Sequence, residues 1–188
     1  MFKRIAKFEK VSFEQFYKDF KDAFNVADVI RHDDGEIETV DLKPQIKVIY
    51  DKIKIPTRAT QGSAGYDFCS PIELNVAAGT TVKIPTGIRC VMKHNWVLNV
   101  YVRSSLGFKY CLNLANGTGI IDSDYSNSDN EGHIFIKLKN HGDKDCKIKQ
   151  GDGFAQGIFL KYGLTHNDNV TTHRNGGFGS TNENKTSN

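Results

Sequence analysis

The chain has 188 residues, enough for one domain with an appendage and a core that needs neither disulfides nor metal. Its 25 basic and 22 acidic residues leave a net charge of +3, far short of the basic stripe that duplex phosphates demand, so nucleic-acid binding is disfavoured as the main role. Cys69, Cys90, Cys111 and Cys146 are far apart in sequence, with no zinc-ribbon pair and no redox C-x-x-C, and read as buried reduced thiols.

Met1-Phe2-Lys3-Arg4 is basic, but no apolar run of signal or membrane-spanning length follows, so a soluble, cytoplasmic protein without membrane association is expected. Phe13, Phe16, Tyr17, Phe20 and Phe24 then recur at helical spacing. Ser12 offers an N-cap, and Gln15, three positions on, completes a capping box. The aromatic face of this helix must pack on something. A pack within the chain is the expectation, and a docking surface for a protein partner is the alternative. Gly35 marks a turn, followed by an extended stretch over 37–42 before Pro44. Residues 1–44 are thus read as an N-terminal helical extension.

From residue 45 the pattern changes to short runs of valine, isoleucine and aromatics punctuated by Gly, Asn and Asp turns, an all-β signature extending to residue 170. Strands are expected over 82–85, 97–102, 134–138 and 154–160. In the third of these, Ile134, Ile136 and Leu138 share a face, as a half-buried strand requires. A sandwich, jelly roll or barrel follows. Residues 171–188, rich in Gly, Asn, Ser and Thr, have little to bury and are expected to form a flexible tail.

Five segments carry chemistry. Ser63-Ala64-Gly65-Tyr66-Asp67-Phe68 sets a carboxylate between aromatics after a tight turn. Arg103-Ser104-Ser105-Leu106-Gly107 offers a guanidinium and two hydroxyls, donors suited to phosphate oxygens. Asn116-Gly117-Thr118-Gly119-Ile120-Ile121-Asp122-Ser123-Asp124-Tyr125 places two carboxylates and a phenol on a glycine-sharpened turn, with Asp122 and Asp124 on one side if 121–125 is extended. Gly151-Asp152-Gly153-Phe154-Ala155-Gln156 is a turn entering a strand. Arg174-Asn175-Gly176-Gly177-Phe178-Gly179-Ser180-Thr181 sets an aromatic among glycines, flanked by phosphate donors. Taken singly, each also reads as an ordinary turn.

In this order and spacing, the five segments resemble the motifs of the trimeric deoxyuridine triphosphatase (dUTPase) family over residues 45–181. The resemblance implies a jelly-roll β barrel that assembles as a homotrimer with shared active sites. One subunit would supply the third motif, a second the first, second and fourth, and a third its tail. It implies hydrolysis of dUTP to dUMP and pyrophosphate by water attack on the α-phosphate, which limits uracil in DNA and supplies dUMP for thymidylate synthesis. By the same resemblance Asp122 is the base, Asp124 is structural, and Asp67 holds Mg²⁺ through water. Tyr125 packs under the deoxyribose. Asn116, Gly119, Ile120, Ile121 and Phe135 surround the uracil, and Arg103, Ser104, Ser105 and Gln156 face the phosphates. Arg174, Phe178, Gly179, Ser180 and Thr181 form a closing lid.

The chain departs from the family pattern in several places. Gly153 stands where a basic residue is usual. Arg174 is one residue closer to Phe178 than usual, so that His173 takes the usual spacing and either residue is open as the γ-phosphate contact. Asn127 replaces a glycine, tolerable because asparagine visits the left-handed region. Residues 128–132 look like an insertion at a hairpin tip. Two other functions remain open. One is a dCTP deaminase on the same fold, a branch that carries a glutamate on the strand where this chain has residues 134–138. The other is a partner-binding regulatory role for the helix.

Overall fold

The computed structural model describes residues 3–27, 29–31, 37–172 and 174. Strand β1 (Ala6–Lys10) leads into helix α1 (Phe13–Phe24), a hairpin β2 (Val29–Arg31) and β3 (Ile37–Thr39), and helix α2 (Lys43–Asp51). Ser12 Oγ accepts from Gln15 N–H at 3.1 Å, so the N-cap forms as the sequence predicts. The reciprocal half of the capping box does not form. Gln15 Nε2 donates to Asp19 Oδ2 at 2.8 Å, and Ser12 N–H donates instead to Glu131 Oε2 at 2.7 Å. A carboxylate outcompetes an amide for that donor. Asn25, at φ 51°, closes the helix in the left-handed region.

The aromatic face of α1 is covered within the chain. Phe16 is fully buried and Phe20 nearly so, and Phe16 meets Phe20 and Tyr50 with ring centroids 5.6 Å apart in each case. Full burial of one such ring is worth about 1.5–3 kcal/mol. The extended segment expected over 37–42 is shorter than its pattern implies, because β3 ends at Thr39 and α2 starts at Lys43. Pro44 opens this helix rather than ending a strand, since its missing N–H is no loss in a first turn. The all-β reading from residue 45 therefore misses α2. Its nine residues are too few for the Ile46, Ile49 and Tyr50 spacing to stand out.

The remainder is mainly short strands, as predicted: β4 (Thr57–Arg58), β5 (Tyr66–Cys69), β6 (Leu74–Val76), β7 (Thr81–Pro85), β8 (Ile88–Met92) and β9 (Trp96–Val102), interrupted by helix α3 (Ser104–Tyr110), which the all-β reading also misses. After α3 come β10 (Leu112–Leu114), β11 (Gly119–Ile121), a 3-10 turn (Tyr125–Asn127), β12 (Phe135–Asn140), β13 (Cys146–Ile148) and β14 (Gly153–Lys161). All pairings among the described residues are antiparallel. A five-stranded sheet β11-β9-β14-β5-β4 packs with a three-stranded sheet β10-β12-β7 and two-stranded pairs β1-β8 and β13-β6, a jelly-roll arrangement. Alternation puts Leu98 and Val100 of β9 and Ile136 and Leu138 of β12 into one core with Phe16, Phe68 and Phe154. β1 pairs with β8 from Ala6↔Met92 to Lys10↔Ile88, so the N-terminal segment builds on the same framework.

Ile121 ends β11, and residues 122–125 are a turn closed by Tyr125 N–H to Asp122 O at 3.1 Å, not the continued extension considered from sequence. Asn127 lies in the 3-10 turn and does not use the left-handed region, which falls on Glu131 (φ 58°) and Gly132 (φ 72°). The cysteines are free, but only Cys90 and Cys146 are buried; Cys69 is half-buried and Cys111 is exposed. Among the described residues no helix is long and apolar enough to cross a membrane.

Candidate active site

At the C-terminal end of β9 the chain turns into α3, and Arg103 N–H is held by Phe154 O at 3.0 Å. β14 runs between β9 and β5, and its register sets Gln156 opposite both Tyr101 and Asp67. The side chains of Asp67, Arg103, Ser104, Ser105 and Gln156 therefore converge on one cavity of about 470 Å³, with Ser63 and Gly65 completing the wall. Arg103 Nε lies 3.5 Å from Asp67 Oδ1, a half-exposed ion pair, and its Nη1 donates to Gly153 O at 3.4 Å. Gly153 explains its own departure from the expected pattern. A Cβ there would lie 2.6 Å from Arg103 Nη1, so the missing side chain is the space Arg103 occupies.

The third segment forms the other half. Asn116 and Phe135 line a cavity of about 340 Å³ with Lys83 and Lys137. Ile120, Asp122, Ser123, Asp124 and Arg174 line another of about 840 Å³, while Gly119 and Ile121 pair with Val100 and Leu98. Arg174 joins the two carboxylates: its Nε donates to Asp124 Oδ1 at 2.9 Å and its Nη2 donates to Asp122 Oδ2. Its guanidinium carbon lies 5.8 Å from the centroid of the Tyr125 ring. In this chain Arg174 thus meets its own carboxylates. His173, Phe178, Gly179, Ser180 and Thr181 lie outside the described residues.

Tyr125 is 6 % exposed, and its hydroxyl donates to His133 O at 2.9 Å and accepts from Asn130 Nδ2 at 3.0 Å. Burial pushes the phenol's pKa up, so it remains a donor at neutral pH. Sequence reasoning missed His133, Asn130 and Lys83, because nothing local distinguishes them and their roles come from long-range contact. β12 carries no glutamate, and Glu131 is committed to α1, taking Ser12 Oγ–H at 2.6 Å as well as the Ser12 N–H.

Asp122 and the phosphate cavity lie at opposite ends of one strand. Ile121 stands opposite Leu98, which places Asp122 beside the start of β9, whereas Arg103 follows its last residue. At about 3.3 Å per residue, the run from Val97 to Arg103 spans roughly 20 Å. Among the described residues no three His, Cys, Asp or Glu side chains gather to hold a metal alone. Asp67 is one carboxylate in a cavity of hydroxyls and a guanidinium. That donor set fits a Mg²⁺ ion that keeps its waters and takes phosphate oxygens as its other ligands.

The dUTPase family model matches residues 51–182. The chain is 41% identical over 132 residues to a deoxyuridine 5'-triphosphate nucleotidohydrolase of Lactococcus lactis, covering 69% of this chain and 88% of the other. It is 40% identical over 149 residues to the enzyme of the same description from Desulfitobacterium hafniense, covering 73% and 95%. Among solved structures it is similar to a dUTPase from Streptococcus mutans, with 37% identity, a TM-score of 0.55, and coverage of 61% of this chain and 90% of that one.

Proposed function

This chain belongs to the dUTPase family, and from that premise we propose that it hydrolyses dUTP to dUMP and pyrophosphate at sites shared between copies of itself. The observation that carries the reading is the separation of Asp122 from the phosphate cavity along β9. A base must stand within hydrogen-bond reach of its water, and that water beside the phosphorus it attacks. A carboxylate and a phosphate cavity about 20 Å apart along a strand cannot serve one substrate from one chain. A homotrimer in which the hairpin of one copy faces the phosphate cavity of the next meets the requirement. Ile120, Leu160 and Tyr162, exposed on and beside the hairpin face, offer apolar surface for that contact.

Asn116, Phe135 and the Gly119–Ile121 backbone hold the uracil edge. The Tyr125 ring lies under the deoxyribose and leaves no room for a 2′-hydroxyl. Arg103, Ser104, Ser105 and Gln156 orient the phosphates and neutralise their charge, which is most of what phosphoryl displacement asks of a protein. Asp122 takes a proton from water as the water oxygen bonds to the α-phosphorus. The bond from that phosphorus to the α–β bridging oxygen breaks, and pyrophosphate leaves with the electron pair. Asp67 would hold Mg²⁺ through water, and when bound the ion would supply further charge neutralisation on the triphosphate. Arg174 leaves Asp122 when substrate binds, and Phe178, Gly179, Ser180 and Thr181 close over the nucleotide with it. The enzyme works in the cytoplasm. With no glutamate on β12 and Glu131 bound to Ser12, deamination of dCTP is not favoured.

The purified protein should release pyrophosphate from dUTP far faster than from UTP or dCTP, and chelation of divalent ions should abolish turnover. Equal rates on the three nucleotides would sink the reading, and full activity in excess chelator would remove the metal from it.

A further inference from the structure

The helix α1 precedes residue 51, where the family match begins, yet it grips the connection between β11 and β12 at a fully buried residue. His133 is fully buried, and Gly87 N–H donates to its Nε2 at 2.8 Å. That donor fixes the tautomer: Nε2 accepts, so Nδ1 carries the proton and donates to Asp19 Oδ2 on α1 at 2.6 Å. The carbonyl of the same His133 accepts the Tyr125 hydroxyl, and Asn130 bonds that hydroxyl from the other side. Glu131, between them in sequence, takes both donors of Ser12 at the start of α1. The segment 130–133 is therefore clamped to α1 at two points, and Tyr125 is anchored to that segment. Lys83 also reaches Asp22 of α1 at 3.1 Å, but both partners are exposed, so the buried Asp19–His133 link carries the argument.

We propose that Asp19 is a positioning residue for sugar recognition. By holding His133 it fixes the carbonyl on which the Tyr125 hydroxyl rests, so that α1 sets how strictly the site rejects a ribonucleotide. The proposal rests on Tyr125 being the ring beneath the deoxyribose. A flat ring excludes a hydroxyl only if it is held to a fraction of an ångström, because steric exclusion in a yielding pocket discriminates poorly.

In the full-length enzyme, Asp19→Ala should raise KM for dUTP more than it lowers kcat, and should reduce the kcat/KM preference for dUTP over UTP on the order of tenfold. Asp19→Asn keeps an acceptor for Nδ1–H and should restore the preference. Asp19→Glu keeps the charge but moves the acceptor, and should weaken the preference even if Asp19→Ala does not fold. Tyr50→Phe removes a 2.7 Å bond from the Tyr50 hydroxyl to Val11 O, loosening the same segment away from His133. It should lower stability and leave the preference unchanged. Tyr125→Leu tests the ring by itself and should abolish the preference. If Tyr125→Leu abolishes it while the Asp19 variants do not move it, the positioning role is overturned and the reading of Tyr125 stands. If Tyr125→Leu leaves it intact, the reading of Tyr125 falls and the proposal with it. A loss in Tyr50→Phe equal to that in Asp19→Ala overturns the proposal as general loosening.

Discussion

Asp122 and Asp124 share one guanidinium in the free chain, yet only Asp122 is assigned the proton transfer, so the two can be separated by substitution. Asp122→Asn keeps an acceptor for Arg174 and removes the base. Its kcat should fall roughly 10²- to 10⁴-fold with KM for dUTP little changed in steady-state assays, and an unaltered kcat would remove Asp122 from the mechanism. The cysteines give a second test. Burial pushes the Cys90 thiol up to about 12, whereas Cys111 is exposed. At pH 8 an alkylating reagent followed by mass spectrometry should label Cys111 in the native protein and Cys90 only after denaturation. The difference between the two thiols was not legible in sequence, because thiol spacing says nothing about depth. Gly153 was legible only as a departure, and the Arg103 side chain lying over it gives the reason.

Helix α1 shows what periodicity can and cannot settle among the elements. The aromatic spacing from Phe13 to Phe24 and the Ser12 cap follow from local rules. The partner of the Ser12 N–H does not, since Glu131 stands far along the chain and reaches it only because α1 lies across the connection between β11 and β12. The segment that looked like an insertion is thus a connection between two elements. Gly132 holds its turn: φ is +72°, and a Cβ would lie 2.5 Å from Ser126 Cα and 2.8 Å from Tyr125 O, both backbone atoms that cannot swing aside. Gly132→Ala should therefore lower unfolding stability by about 1–3 kcal/mol, read from the denaturant midpoint, and raise KM for dUTP by displacing Tyr125. An unchanged midpoint would mean that the turn yields. Helix α2 went unread for the opposite reason: nine residues opening on a proline resemble the end of a strand as much as the start of a helix.

For the molecule as a whole, the spacing along β9 makes a prediction about copies. Asp122→Asn and Arg103→Ala should each be nearly inactive alone. Unfolded together and refolded as a mixture, they should recover part of the activity, because some sites then combine an intact hairpin from one chain with an intact phosphate cavity from another. No recovery from a mixture shown to have exchanged subunits would place the site within one chain. The sequence by itself determined the chemistry available: five ordered segments, their carboxylates, donors and phenol, and the strand pattern that carries them. Those properties are local, set by residue type, turn chemistry and side-chain alternation. Tertiary structure alone decided that Asp122 and Asp124 meet Arg174, that the phosphate donors gather at the far end of the same strand, and that α1 clamps the segment supporting Tyr125. Each of these joins residues distant in the chain, and such contacts follow from strand register and core packing, which no single segment encodes.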